Sequence, residues 1–359
     1  MIFKKRTNSM KLALMGAVTA ATVVAGAASS SAVAGEVNLL TWEGYADESV
    51  VKPFEEATGC KVSATYVGSN DDFAPKLAAG GGVYDLVTPS IDATKVLIEA
   101  GFIDPLDLSK LPRYGEIYEK FRVSEGINHD GKVYGIPYAW GSIPFMYRTD
   151  KFSTPPTSLK MLWDPEFKGK ISLWDDKSSL YVASRVLGNM NIYNLSDAQI
   201  EAAKKKLIEQ KPLVRKYWAT AGELVDLYAS GEVWISNTWG GYQSSLLADQ
   251  GIEVKEFIPE EGAEGWMDSW MVVKGTPNED CAYKYMEMAT TEVGQCGVSN
   301  VNGYSSANPV AARNCMTPQQ FKDLHQDDVD YLDSLLLWEN LRDRLTVYTN
   351  AWNGVKAAN

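Results

Sequence analysis

The stretch Val37-Asn38-Leu39-Leu40-Thr41-Trp42-Glu43-Gly44-Tyr45, followed by Glu48–Thr58 and Lys61–Tyr66, decides the fold. A short β-type run, a segment of helical spacing and a second β-type run form a strand–helix–strand unit. The alternation continues with a helix expected at Asp71–Ala79, a strand at Tyr84–Thr88 and a helix at Thr94–Ala100. Such a series builds a parallel sheet, whose ligand sites lie beyond the carboxyl ends of its strands. Trp42-Glu43-Gly44-Tyr45 and Pro89-Ser90-Ile91-Asp92 both fall at such ends.

The extended, Pro/Gly-rich stretch Tyr134–Gly141 leads into Phe145-Met146-Tyr147 and marks a change of lobe. Beyond it the pattern predicts strands at Lys170–Trp174, Val214–Trp218, Val233–Ser236 and Glu253–Phe257. Helices are expected at Leu180–Leu187, Asp197–Gln210, Ala221–Ala229 and Tyr242–Gln250. Trp266–Val273 is strand-like and carries the chain back. The division is therefore 35–140 for the first lobe, 141–265 for the second and 266–359 for the return to the first. This is an α/β architecture in which each lobe is a mostly parallel sheet flanked by helices, with a cleft at the hinge made by two crossings. The tail, Asp327 to Tyr348, carries Leu332, Leu335, Leu336 and Leu341 at helical spacing and is expected to pack as a helix across the first lobe.

Residues 1–34 read as a cleavable secretory signal: Lys4, Lys5, Arg6 and Lys11 precede the apolar run Leu12–Ala28, and Ala32-Val33-Ala34 supplies small residues for cleavage. The destination is the periplasm. Without the four leader cations, the 34 Lys+Arg and 46 Asp+Glu of the full sequence become 30 against 46, a net charge of −16. That acidity disfavours nucleic acid and anionic membranes and favours cationic solutes. About 325 mature residues exceed what one core usually serves, in keeping with two lobes. Cys60, Cys281, Cys296 and Cys315 allow three complete pairings. Cys281 with Cys315 is expected, because the two bracket the segment containing Gly303-Tyr304, with Cys60–Cys296 as the complement. His129 and His325, the only histidines, read as solvated residues, and neither a metal nor a cofactor is expected.

Aromatic residues sit beside carboxylates or tight glycine turns in several places. Gly265-Trp266-Met267-Asp268-Ser269 is one, and period-2 alternation puts Trp266 and Asp268 on one face. Trp42 and Tyr45 flank Glu43-Gly44, Trp239 precedes Gly240-Gly241, Tyr304 follows Gly303, and Trp174 precedes Asp175-Asp176. Ring faces attract positive charge, and a desolvated ammonium needs an acid beside it, so this pairing suits an organic cation. Trp163, Trp218, Trp234 and Trp352 lack such settings and read as packing residues. No GxSxG, HExxH or GxxxxGK[ST] motif is present, and neither histidine accompanies a candidate nucleophile, so an enzyme is not expected.

Seven blocks, in order, resemble the spermidine/putrescine-binding periplasmic proteins of ABC transporters. They are Leu40–Tyr45, Tyr84–Ser90, Ile136–Gly141, Trp174-Asp175-Asp176, Asn237–Gly241, Trp266–Ser269, and Gly303-Tyr304 with Asn308–Arg313. The resemblance covers essentially the whole mature chain. It implies a two-lobed type II solute-binding protein, monomeric, that closes on a small organic cation and delivers it to an inner-membrane ABC permease. Carried over position by position, Trp42, Tyr45 and Ser90 line the cleft from the first lobe. Asp176, Trp239, Trp266 and Asp268 face them from the second lobe and hinge, and Tyr304 and Glu339 complete the wall. Trp174 adds a ring.

This chain also departs from the pattern. Ser179 stands where spermidine-type members place a second acid, and Asp92 stands where some relatives carry an aromatic or polar residue. A linear diamine then needs Asp92 or Asp176 for its far ammonium. Retained rings with a missing acid leave open a compact quaternary ammonium or sulfonium solute (betaine, choline, dimethylsulfoniopropionate), and a sugar-binding receptor of the same architecture is the remaining reading.

Overall fold

Fourteen strands form two main sheets and one small hairpin in a computed structural model that describes residues 35–80 and 82–358. The expected signal segment lies outside the described residues. In chain order the strands are Glu36–Thr41 (β1), Lys61–Tyr66 (β2), Leu86–Val87 (β3), Asn128–His129 (β4), Lys132–Val133 (β5), Ile136–Ile143 (β6) and Phe145–Arg148 (β7). They continue with Ile171–Trp174 (β8), Val214–Trp218 (β9), Ile235–Asn237 (β10), Val254–Phe257 (β11), Glu264–Val272 (β12), Ser305–Ser306 (β13) and Leu336–Leu337 (β14).

The first unit forms as its residues require. Val37, Leu39 and Leu40 of β1 are buried. Asp47 caps the helix Glu48–Thr58 by accepting from the Ser49 amide, and Gly59, at φ 73°, ends it in the left-handed conformation that glycine adopts without strain. Val50 and Phe54 turn inward, and the chain returns as β2 parallel to β1. The first sheet has the order β13-β6-β12-β3-β1-β2, with β14 added on β12. The second has the order β11-β7-β10-β8-β9. In each, the strand–helix–strand units contribute parallel pairs: β1 with β2 and β3, and β8 with β9 and β10. Antiparallel pairs enter where the chain crosses. β6 and β12 pair antiparallel from Ile143 opposite Glu264 to Ile136 opposite Trp270. The chain leaves the first sheet after β6 at Pro144 and returns across residues 258–263.

The two lobes touch beyond the carboxyl ends of their strands. Adding a Cβ at Gly68, just beyond β2, would bring it 2.4 Å from the Ala219 carbonyl oxygen just beyond β9, so only glycine permits this approach. Trp174 Nε1 donates to the Gly68 carbonyl (2.8 Å), and the Gly222 amide donates to Glu43 (3.3 Å).

Two expectations are corrected. The tail is not one helix: it has 3₁₀ turns at Val329–Ser334 and Arg342–Arg344 around β14, and becomes α-helical only at Leu345–Ala357. The free edge of β12 captures it, the Leu336 amide bonding to Ala263 and the Trp338 amide to Gly265. The final helix then packs on Asp197–Gln210 of the second lobe rather than across the first. There the Tyr348 hydroxyl bonds the Leu195 amide and the Ile192 carbonyl, each at 2.9 Å. The cysteines pair as Cys60–Cys281 and Cys296–Cys315, with Cα separations of 5.9 and 6.1 Å. Neither expected pair forms, because the helix carrying Cys281 lies beside β1 and brings that residue to Cys60 across 221 positions of sequence.

Candidate ligand cavity

Eight residues singled out from sequence meet around one cavity: Trp42, Tyr45, Ser90, Trp174, Trp239, Trp266, Asp268 and Tyr304. Ile143 and Trp338 complete its wall. Trp42 and Tyr45 follow β1, Ser90 follows β3, Trp174 ends β8, Trp239 follows β10, and Trp266 and Asp268 lie on β12. The wall thus draws on both sheets and on a crossing strand. All of its aromatic side chains are buried.

The rings hold one another in place. Trp174 stacks between Trp218 (5.8 Å between centroids, 15°) and Trp338 (6.1 Å, 21°). Trp42 and Trp239 meet Trp174 edge-on at 6.5 and 5.8 Å. Trp266 meets Tyr304 edge-on at 4.7 Å, and Tyr304 in turn meets Tyr45 at 6.2 Å. Trp266 fits because its strand partner is Gly141, where an added Cβ would come 2.9 Å from the indole. Trp42 Nε1 donates to the Thr88 carbonyl (2.8 Å) and Trp266 Nε1 to the Ser142 carbonyl (3.0 Å). Trp239 Nε1 and Trp338 Nε1 are buried with no acceptor among the described residues.

Asp268 is the one carboxylate of the wall and is 4 % exposed. The β12–β6 register shifts between it and Ser269, and Asp268, paired with Ala139 of β6, also bridges to Ser90. The Tyr45 hydroxyl donates to Oδ2 (2.5 Å) and the Ser90 hydroxyl to Oδ1. Ser90 stands at the N-cap of the helix Ile91–Glu99, but its hydroxyl makes no capping bond and serves Asp268. Burial pushes the Asp268 carboxyl up to about 7, against the downward pull of the Ser90 and Tyr45 bonds. No basic side chain among the described residues pairs with it. Asp85, also buried, differs: it accepts from the Asn38 amide and side chain, from Thr276 and from Asn278. Asp85 is filled by donors, whereas Asp268 has two hydroxyls and lines the cavity.

The remaining expected acids lie elsewhere. Asp92 and Asp176 surround Lys177, outside the aromatic wall. Glu339 is exposed and lines a different surface hollow, because the extended chain after β14 sends Trp338 inward and Glu339 outward. Sequence reading missed Trp338, which was hidden in a segment read as helix, and Lys177, which follows Asp175-Asp176 and looks like an ordinary loop cation.

Residues 49–326 match the family described as bacterial extracellular solute-binding proteins. The chain belongs to this family. Its members are substrate-binding components of ABC transporters, not enzymes. The chain is 27 % identical over 310 residues to a putrescine/cadaverine-binding protein of Pseudomonas aeruginosa, covering 81 % of this chain and 84 % of that one. It is 30 % identical over 288 residues to a spermidine/putrescine-binding periplasmic protein of Escherichia coli strain K12, covering 79 % of this chain and 80 % of that one. Among solved structures, a putative spermidine/putrescine ABC transporter protein from Listeria monocytogenes superposes with a TM-score of 0.81 at 25 % identity, covering 90 % of this chain and all of that one. The fold is therefore the two-lobed type II fold of periplasmic solute-binding proteins. No helix among the described residues is long and apolar enough to cross a membrane.

Proposed function

We propose that this protein is the periplasmic substrate-binding component of an ABC importer, a monomer whose lobes close on a small organic cation seated on Asp268. The observation that carries the reading is a buried carboxylate without a protein cation, faced by seven aromatic rings. At an effective dielectric near 20, a cation in contact with Asp268 gains about 4 kcal/mol before desolvation. That attraction mainly offsets the cost of stripping water from both charges. Each well-placed ring adds about 0.5–2 kcal/mol. The names of the relatives put putrescine and spermidine first among candidate solutes.

A compact quaternary ammonium or sulfonium solute is the second reading, and two observations favour it. The cavity presents one acid, enough for one charged head. The unpaired Trp239 and Trp338 indole N–H groups suit a solute with an acceptor oxygen, which a fully protonated polyamine lacks.

Calorimetry on ligand-stripped mature protein tests the class, using putrescine, cadaverine, spermidine, choline, glycine betaine, dimethylsulfoniopropionate and a malto-oligosaccharide. Saturable binding of at least one amine or onium compound is expected. Binding of the oligosaccharide alone would overturn the proposal.

A further inference from the structure

A linear diamine brings two ammonium groups, and the acids able to serve the second are already engaged. Lys177 follows Asp176 in the turn between β8 and the helix Ser179–Val186, with 4 % of its side chain exposed. Its Nζ lies 2.8 Å from Asp71 Oδ1, 3.8 Å from Asp92 Oδ2 and 3.9 Å from Asp176 Oδ2. Asp71 and Asp92 belong to the first lobe, Asp176 and Lys177 to the second, so the ammonium sits on the boundary between lobes. Burial works against this charge, but Asp176, Asp71 and Asp92 together outweigh it and hold the Lys177 pKa well above its ordinary range.

Asn70, Asp71, Asp92 and Lys177 line a hollow of their own, joined to the cavity wall by hydrogen bonds through Asn70. Asn70 accepts from the Ser90 amide (3.0 Å) on the cavity side and donates to Asp92 Oδ1 (2.8 Å) on the other. The acid oxygens near Lys177 are mostly taken. Asp176 Oδ2 accepts from the Ser69 hydroxyl (2.5 Å) and Oδ1 from the Ser178 amide (2.7 Å). What remains is Asp92 Oδ2, which faces Lys177 Nζ itself.

We propose that Lys177 is a tethered stand-in for a second ligand ammonium, a specificity-determining residue that reserves the cavity for cations with a single charged head. It rests on the reading that Asp268 seats the ligand's cation. A diamine reaching Asp92 would place its far ammonium about 5 Å from Lys177 Nζ, a like-charge contact that at an effective dielectric near 20 costs on the order of a hundredfold in affinity before the acids' attraction is counted. Displacing Lys177 would instead strand a buried ammonium. A single-headed cation meets neither obstacle and leaves the lobe-to-lobe contact of Lys177 intact.

The test compares n-pentylamine with putrescine, chains of equal heavy-atom count that differ in one terminal ammonium, with choline as a second single-headed probe. Calorimetry on the natural protein should give pentylamine and choline at least tenfold tighter than putrescine. Lys177→Gln should shift the pentylamine-to-putrescine ratio at least tenfold toward the diamine, and Lys177→Arg should restore the natural ratio. Tighter binding of putrescine by the natural protein, or equal shifts for both probes in Lys177→Gln, would overturn the assignment. The natural-protein comparison decides the matter by itself should Lys177→Gln not melt cooperatively. Absence of binding by all three probes would bring down the cation reading and this inference with it, whereas binding without discrimination would bring down this inference alone.

Discussion

Two acidic sites face the boundary between the lobes, and they differ in one respect. Asp92 and Asp176 share a protein cation, Lys177. Asp268 has none among the described residues, and its two donors there are the neutral hydroxyls of Tyr45 and Ser90. Both acids Asp92 and Asp268 pay for burial in the same way, each pushed up to about 7 with desolvation the largest cause. What separates them is the source of the compensating charge: at one site the chain carries it, at the other, on the proposed function, it arrives with the ligand.

Substitutions at the two sites should therefore move stability in opposite directions. The largest effect is expected from Lys177→Gln in the ligand-free protein. It leaves Asp92 and Asp176 without their cation, and removal of one member of a buried charge group costs about 3–5 kcal/mol. Denaturant unfolding followed by circular dichroism measures this. A midpoint unchanged from the natural protein would erase the distinction between the sites.

Asp268→Asn should do the reverse, raising or maintaining ligand-free stability while weakening cation binding by about 2–5 kcal/mol, the range seen when one partner of a desolvated charge pair is truncated. Calorimetry with whichever probe binds the natural protein reads the affinity. Retained affinity would reassign Asp268 to a structural role like that of Asp85.

The third expected effect is on pH. The folded pKa of Asp268, about 7, lies above the unfolded value of 3.8. Ligand-free stability from this group is therefore fully present below pH 3.8 and is lost as pH rises toward 7. A cation prefers the ionised carboxylate, so affinity should fall by up to about tenfold per unit as pH drops below 7. Asp92 titrates in the same window. The difference in slope between the natural protein and Asp268→Asn isolates the cavity acid, and equal slopes would place the titration elsewhere.

The smallest effect belongs to single rings. Trp239→Leu keeps bulk but removes the quadrupole, and should weaken binding of a cation by about 0.5–2 kcal/mol. A neutral probe of similar shape should lose less, and an equal loss would mean that the ring acts by packing alone.

Much of this architecture is written locally. The helix Asp197–Gln210, opened by a Ser196/Gln199 capping box, and the strands Lys61–Tyr66 and Val214–Trp218 lie at the bounds expected from sequence. The tail is different. Leucines three and four residues apart fit a helix or a run of 3₁₀ turns equally well, and pairing with the edge of β12, a tertiary event, decided between them. Cysteine pairing is tertiary in the same sense. For the cavity, strand ends and aromatic–acid neighbours in sequence pointed to the eight residues that the fold gathers. The position of Asp92 and Asp176 was not legible, because their surroundings depend on Lys177, and no spacing rule shows that a lysine after two aspartates turns inward to three carboxylates.

Both disulfides join elements that pack on the first sheet: Cys60 immediately precedes β2, Cys281 and Cys296 lie on the neighbouring helices Glu279–Thr290 and Glu292–Asn302, and Cys315 follows the short helix Pro309–Arg313. No covalent bond between side chains ties one sheet to the other among the described residues. Durability and motion are thereby assigned to different kinds of bond. Oxidation toughens one half of the molecule like a riveted plate, while the two sheets are joined only by the main chain and by non-covalent contacts among the described residues, so a change in thiol redox state should alter how long the protein lasts without altering the proposed closure.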